Sequence, residues 1–198
     1  MTEPRYSSNV RLFFLNFYLK TDSISYLVLI PLMILYVFFN LEFTSEQLNI
    51  FALGSAFSVT ISFITTSINN YMVTRPITKY FKKLVKGESF DRDEYERAFK
   101  RFRKLPFYHA FGAMARWLGG MSLINILTMI FADINTVQAI SMWILAFISG
   151  SFSVVLFFIL TEIFVQDVFE ENVFPEWLEI GKGFSISIIN KMFSSIVI

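Results

Sequence analysis

RPITKYFKKLVKGESFDRDEYERAFKRFRK, residues Arg75 to Lys104, decides how the chain is organised. It carries Arg75, Lys79, Lys82, Lys83, Lys86, Arg92, Arg97, Lys100, Arg101, Arg103 and Lys104, eleven of the seventeen basic residues, between two long apolar stretches. A basic segment between membrane spans stays on the cytoplasmic side. Ile77, Tyr80, Phe81, Leu84 and Val85 recur at the spacing of one helix face, with Pro76 at the first helical position and Gly87 just past the end. Asp91 and Glu94 then read as a capping box, with Phe90 and Tyr95 as its hydrophobic staple. Tyr95, Ala98, Phe99 and Phe102 supply a second apolar face, and Pro106 ends that helix. The segment is therefore expected to fold as a cytoplasmic helical hairpin, residues 75–104, joining two membrane hairpins. Arg75, Lys79, Lys82, Lys83 and Lys86 are its expected topology and lipid-contacting residues, each adding about 1 kcal/mol beside anionic lipid.

Upstream, Ser23 to Leu41 passes without a charge for nineteen residues, enough to cross a hydrocarbon core of about 30 Å. Pro31 lies inside this first span. Residues 1–22 are a cytoplasmic N-terminus in which Val10 to Lys20 suits a helix lying in the interface. The turn Glu42 to Gln47 has two acids and no Lys or Arg, so it belongs outside; Leu48 to Thr74 returns as the second span and completes the first membrane hairpin, residues 23–74. Ser55, Ser58, Ser62, Thr65, Thr66 and Asn69 fall on helical spacing there, and Gly54, Ser58 and Ser62 form a small-xxx-small ladder. Gly54, Ser58, Ser62, Thr65 and Asn69 read as close helix packing or as a polar lining.

Downstream, residues 105–161 form the second membrane hairpin. Leu105 to Ala115 is apolar but interrupted by Pro106 and Gly112, and Leu118 to Ala132 is a short third span with Ala115 and Gly119 as a packing site. Arg116 and Trp117 read as an interfacial anchor pair, with anion binding inside the bundle as the alternative for Arg116. His109 reads as a structural histidine. Asp133 and Asn135 mark a second outside turn free of Lys and Arg, and Ile134 to Thr161 is the fourth span, with Ser149 and Ser153 four apart. Residues 162–183 are acidic and cytoplasmic, suited to pairing with the basic hairpin. Residues 184–198 are apolar and start a possible fifth span, which suggests that the sequence is a fragment. The two hairpins form a loose repeat, each a span pair about an acidic turn followed by a stretch with Pro and Gly.

With 55% hydrophobic and only 17% charged residues, the fold class is all-α, an integral membrane helical bundle of four spans. The absence of cysteine excludes disulfides, thiolate metal sites and a thiol nucleophile, and a lone His109 excludes a His-pair metal site. No phosphate loop, nucleophile elbow or HExxH is present. No enzyme activity, catalytic residue, metal, cofactor or nucleic-acid partner is expected. The expected partners are the lipid bilayer and a second copy of the chain.

RPI at Arg75 to Ile77, KLP at Lys104 to Pro106 and RW at Arg116 and Trp117, set between paired spans, resemble the multi-spanning membrane region before the signalling domain of some bacterial class III adenylate cyclases and chemotaxis-receptor-like proteins. The resemblance implies a sensory or anchoring region in a bacterial inner membrane, N-terminus in the cytoplasm, coupled to an output domain that this chain lacks. A small transporter or channel subunit with a hydroxyl-lined second span is the alternative.

Overall fold

The computed structural model describes residues 18–19, 22–89 and 91–170. Five helices account for most of them: α1 (Asp22–Asn40), α2 (Ser45–Val85), α3 (Arg92–Arg103), α4 (Leu105–Phe131) and α5 (Thr136–Glu170). Among the described residues there is no strand, and the fold is all-α. α1, α2, α4 and α5 are each long and apolar enough to cross a membrane, which is consistent with a multi-pass membrane protein. The outward faces agree: Leu53, Phe57 and Phe63 of α2, Phe111 and Ile130 of α4 and Val137, Phe147 and Phe152 of α5 stand exposed. Water would not tolerate so continuous an apolar surface, whereas lipid tails do.

α4 is the central element, packed along both α5 and α2. Gly54 lets α2 approach α4, because a Cβ there would lie 3.6 Å from the Ile124 Cα. Gly150 does the same for α5, with Met114 and the Trp117 Cβ filling the space a side chain would need. The packing glycine on α4 facing α2 is Gly120, where a Cβ would stand 2.7 Å from the Ser58 Oγ. This corrects the expected pair: Ala115 is exposed and nothing lies within 4 Å of a Cβ on Gly119. The buried face of α4 runs through Ala113, Trp117, Met121 and Ile124, so Ala115 and Gly119 are turned outward.

Of the two prolines expected at helix boundaries, Pro106 stands at one, between α3 and α4, and Pro76 does not. α2 runs unbroken for 41 residues with Pro76 inside it, so the second span and the first hairpin helix are one element. The carbonyl that loses its helical donor belongs to Met72. Pro106 occupies the first turn of α4, where its missing N–H has no helical partner to lose, and Leu105–Phe131 is one 27-residue helix rather than a broken segment and a short span. Pro31 follows a π-helical turn, Ser25–Leu29, that shifts the hydrogen-bond register beside the carbonyl the ring would crowd. The N-terminal stretch 10–20 lies outside the described residues except for Tyr18 and Leu19, as do Phe90 of the expected staple and everything after Glu170, including the second Pro and Gly of the loose repeat.

Gly87 closes α2 as expected. Its φ of 65° is left-handed, the Glu88 N–H donates to the Lys83 carbonyl and the Gly87 N–H to that of Leu84, a Schellman motif. The capping box expected at α3 does not form: Asp91 makes no side-chain capping bond. Glu94 instead reaches across to α2, accepting from Lys79 and Lys83 at 2.5 Å each. Two ammonium groups on the neighbouring helix outcompete one backbone N–H.

The side chains pack into two apolar cores at opposite ends. At the basic end Ile77, Tyr80 and Phe81 of α2 meet Tyr95, Ala98 and Phe102 of α3, with Leu105, Val165 and Val168. At the turn end Met33, Val37 and Leu41 of α1 meet Phe51, Trp117, Met121, Ile124, Met142 and Ala146. That end is tied by two reciprocal caps. Thr44 and Gln47 exchange bonds at the start of α2, and Asn135 and Gln138 at the start of α5. The two glutamines meet each other, and Gln138 also donates to the Leu41 carbonyl. Glu42 and Asp133, both at φ 47°, precede the two caps by two residues. The turns EFTSEQ and DINTVQ are thus structural equivalents.

Candidate functional site

Beside the turn-end core, on the side toward the basic end, lies a slot of about 60 Å³. α1 contributes Asp22, Tyr26, Ile30 and Met33; α2 contributes Ser55, Ser58, Val59 and Ser62; α4 contributes Arg116, Trp117, Gly120, Met121 and Ile124. The slot exists because α1 closes on the bundle mainly at the turn end, through Met33, Val37 and Leu41. Gly120 and the small serines keep α2 and α4 from filling it.

Helix geometry places the polar end of the slot. Thr66 lies about 32 Å along α2 from Ser45, and Arg116 about 22 Å along α4 from Phe131, at 1.5 Å per residue. By helix length the Arg116 level is therefore about 22–32 Å from the turn end, comparable to a hydrocarbon core of about 30 Å. Beyond it α2 continues for a further ~28 Å to Val85.

Arg116 is the pivot of the polar end. Its Nη1 donates to the Thr66 Oγ1 at 3.0 Å, its Nη2 stands 3.7 Å from the Asp22 carboxylate, and the guanidinium lies over the Phe157 ring at 5.3 Å. Both members of the ion pair are about four-fifths enclosed. A cation in a mostly apolar bundle needs such partners, and here they come from three different helices. The anchor reading of Arg116 and Trp117 is corrected accordingly: Arg116 faces inward, and Trp117 is buried in the turn-end core.

The serine ladder divides. Ser55 and Ser58 are buried and Ser62 half-buried along the slot. The Ser55 Oγ is fully enclosed and has no hydrogen-bond partner. Thr65 turns outward and returns its hydroxyl to the Ile61 and Ser62 carbonyls, and Asn69 is exposed on the same side, its amide packing near Gly112. Thr66 takes the inward position instead. Asp22 and Gly120 were not foreseen: Asp22 only bounds the first apolar run in sequence, and Gly120 is indistinguishable there from Gly119.

His109 sits further toward the basic end, fully packed, with its Nδ1 3.2 Å from the Thr161 Oγ1 and its ring 4.9 Å from that of Tyr18. Of the basic residues named from sequence, Lys79 and Lys83 bind Glu94, Lys86 pairs with Glu88 at 3.4 Å, and Arg75 and Lys82 are exposed. Lys79 and Lys83 hold the Glu94 carboxyl at about 2, well below its usual range. No group of three or more His, Cys, Asp or Glu residues that could hold a metal occurs among the described residues.

No family model, curated protein or solved structure matches the chain.

Proposed function

We propose that this chain is the membrane-embedded input and anchoring region of a signalling protein, its output domain lying outside these residues. In this reading α1 with α2 and α4 with α5 are two membrane hairpins, the turns at Glu42 and Asp133 face out, and the end of α2 with α3 forms a basic helical hairpin in the cytoplasm. Lys and Arg clustered at one end, and absent from both turns, support that orientation.

The observation that carries the reading is the continuity of α2. One 41-residue helix lines the polar slot with Ser55, Ser58 and Ser62, holds Arg116 through Thr66, and farther on supplies Ile77, Tyr80 and Phe81 to the basic-end core. A change in how α1 closes on the slot tilts this rod, and the hairpin moves with it. α5 contributes Val165 and Val168 to the same core and gives a second rod.

The chain has no cysteine, so labels can be placed singly. Spin labels at the exposed positions Lys82 and Ile163 report the separation of the two rods. In bilayers of short and long acyl chains that separation is expected to differ; an identical distance in both would refute coupling. The second reading, a small transporter or channel subunit, rests on the hydroxyl-lined slot. Its signature is flux across liposomes that Ser58→Leu or Ser62→Leu abolishes. The glutamine knot and apolar core at the turn end favour a closed pocket over a pathway.

A further inference from the structure

The slot brings charged, hydroxylic and apolar groups together along its length. The geometry points to a phosphatidylethanolamine-type lipid, a phosphodiester amphiphile with a primary ammonium, seated with its phosphate on Arg116 and its ammonium on Asp22. This inference rests on the reading of the chain as a membrane protein and deepens it by naming a ligand of the slot.

Three observations converge. First, the polar end holds one cation and one anion 3.7 Å apart, wider than a hydrogen bond, so each retains bonding capacity toward a third group. A neutral zwitterion completes this pair without leaving an uncompensated charge, whereas an anion would crowd Asp22. Second, the slot changes character along its length. It is charged at Asp22 and Arg116, hydroxylic along Ser62, Ser58 and Ser55, and apolar at Ile30, Met33 and Ile124, the order of headgroup, glycerol ester and acyl chain. The Ser55 Oγ, in a residue only 6% exposed, lines the slot and has no partner; a lipid ester carbonyl would accept from it. Third, by helix length the charged end lies about 22–32 Å from the turns, comparable to a hydrocarbon core of about 30 Å, which brings it near the headgroups of the opposite leaflet.

A primary ammonium donates hydrogen bonds to a carboxylate and a quaternary ammonium cannot, so the site discriminates ethanolamine from choline lipids. The test reconstitutes the whole chain in nanodiscs of equal ethanolamine, choline and glycerol phospholipids, then measures the lipids retained on gentle extraction by native mass spectrometry. The wild type is expected to retain the ethanolamine lipid about tenfold or more over the other two, the worth of one charge-assisted hydrogen bond. Asp22→Asn is expected to reverse the preference toward the anionic glycerol lipid, and Arg116→Gln to abolish selection. Ser55→Ala, a milder change that keeps the ion pair, is expected to reduce retention several-fold without altering its order.

Equal retention of the three lipids, or preference for the glycerol lipid in the wild type, would overturn the inference. So would displacement by soluble phosphoethanolamine, which would make the ligand a soluble zwitterion. Failure of the chain to float with vesicles would refute the membrane reading itself, while flotation without selection would refute only the headgroup site.

Discussion

Replacing Gly120 by Ala is the sharpest perturbation of the slot. The added Cβ would stand 2.7 Å from the Ser58 Oγ, a separation real Cβ atoms essentially never show. Ordinary contact begins at 3.4 Å, so α2 and α4 must part by about 0.7 Å, or Ser58 must swing its hydroxyl away. Overpacking of this kind costs about 1–3 kcal/mol, and the single methyl with a rotatable hydroxyl opposite belongs at the lower end, about 1–2 kcal/mol. Ser58→Ala removes the obstructing oxygen. In that background Gly120→Ala is expected to cost less than about 0.5 kcal/mol, a coupling of about 1 kcal/mol between the two positions. Reversible unfolding of the four proteins in mixed micelles measures the cycle. Additive effects would mean that α2 and α4 are not held at this distance, and the slot as described would fail with them.

The turn-end knot gives a second expectation: Gln138→Ala loses the bond its side-chain oxygen accepts from the Asn135 N–H and the one it donates to the Leu41 carbonyl, and should destabilise by about 1–2 kcal/mol in the same unfolding assay. Glu42 and Asp133 occupy left-handed conformations that glycine adopts without strain, so Glu42→Gly and Asp133→Gly should each stabilise by about 0.5–1 kcal/mol, with a raised melting temperature as the readout. Glu94 contributes stability that is complete above its ordinary pKa of 4.5 and is lost as pH falls from there through about 2, because only the folded state holds it between Lys79 and Lys83. Protection of the α3 amides, referred to their intrinsic exchange rate at each pH, should fall over that window in the wild type and show no such step in Glu94→Gln.

Uncharged runs of nineteen or more residues made α1, α2 and α5 legible, whereas α4, divided by Arg116, read as a short span. Proline was the main source of misreading. Pro76 and Pro106 look alike in sequence, yet one lies within a helix and the other in a first turn, and only the packing on either side distinguishes them. The caps Thr44–Gln47 and Asn135–Gln138 carried a readable signal at the expected three-residue spacing and define both turns. At Asp91 the same signal misled, because Glu94 had better partners on α2. The site was partly legible: Ser55, Ser58, Ser62 and Thr66 stood out at helical spacing, and an inward role was the alternative for Arg116. Which side of α4 faces inward was not, so Trp117 passed for an interfacial anchor and Gly119 for the packing glycine. The pairing of Asp22 with Arg116 joins distant parts of the chain and has no local signature.

The orientation of the bundle is the claim on which the rest depends, and cysteine accessibility tests it directly. Single cysteines at the exposed positions Glu46 and Lys82 are treated with a membrane-impermeant maleimide in intact cells and in inverted vesicles. The account predicts labelling of position 46 only in intact cells and of position 82 only in inverted vesicles. Labelling of both from one side, or the reverse pattern, would contradict it.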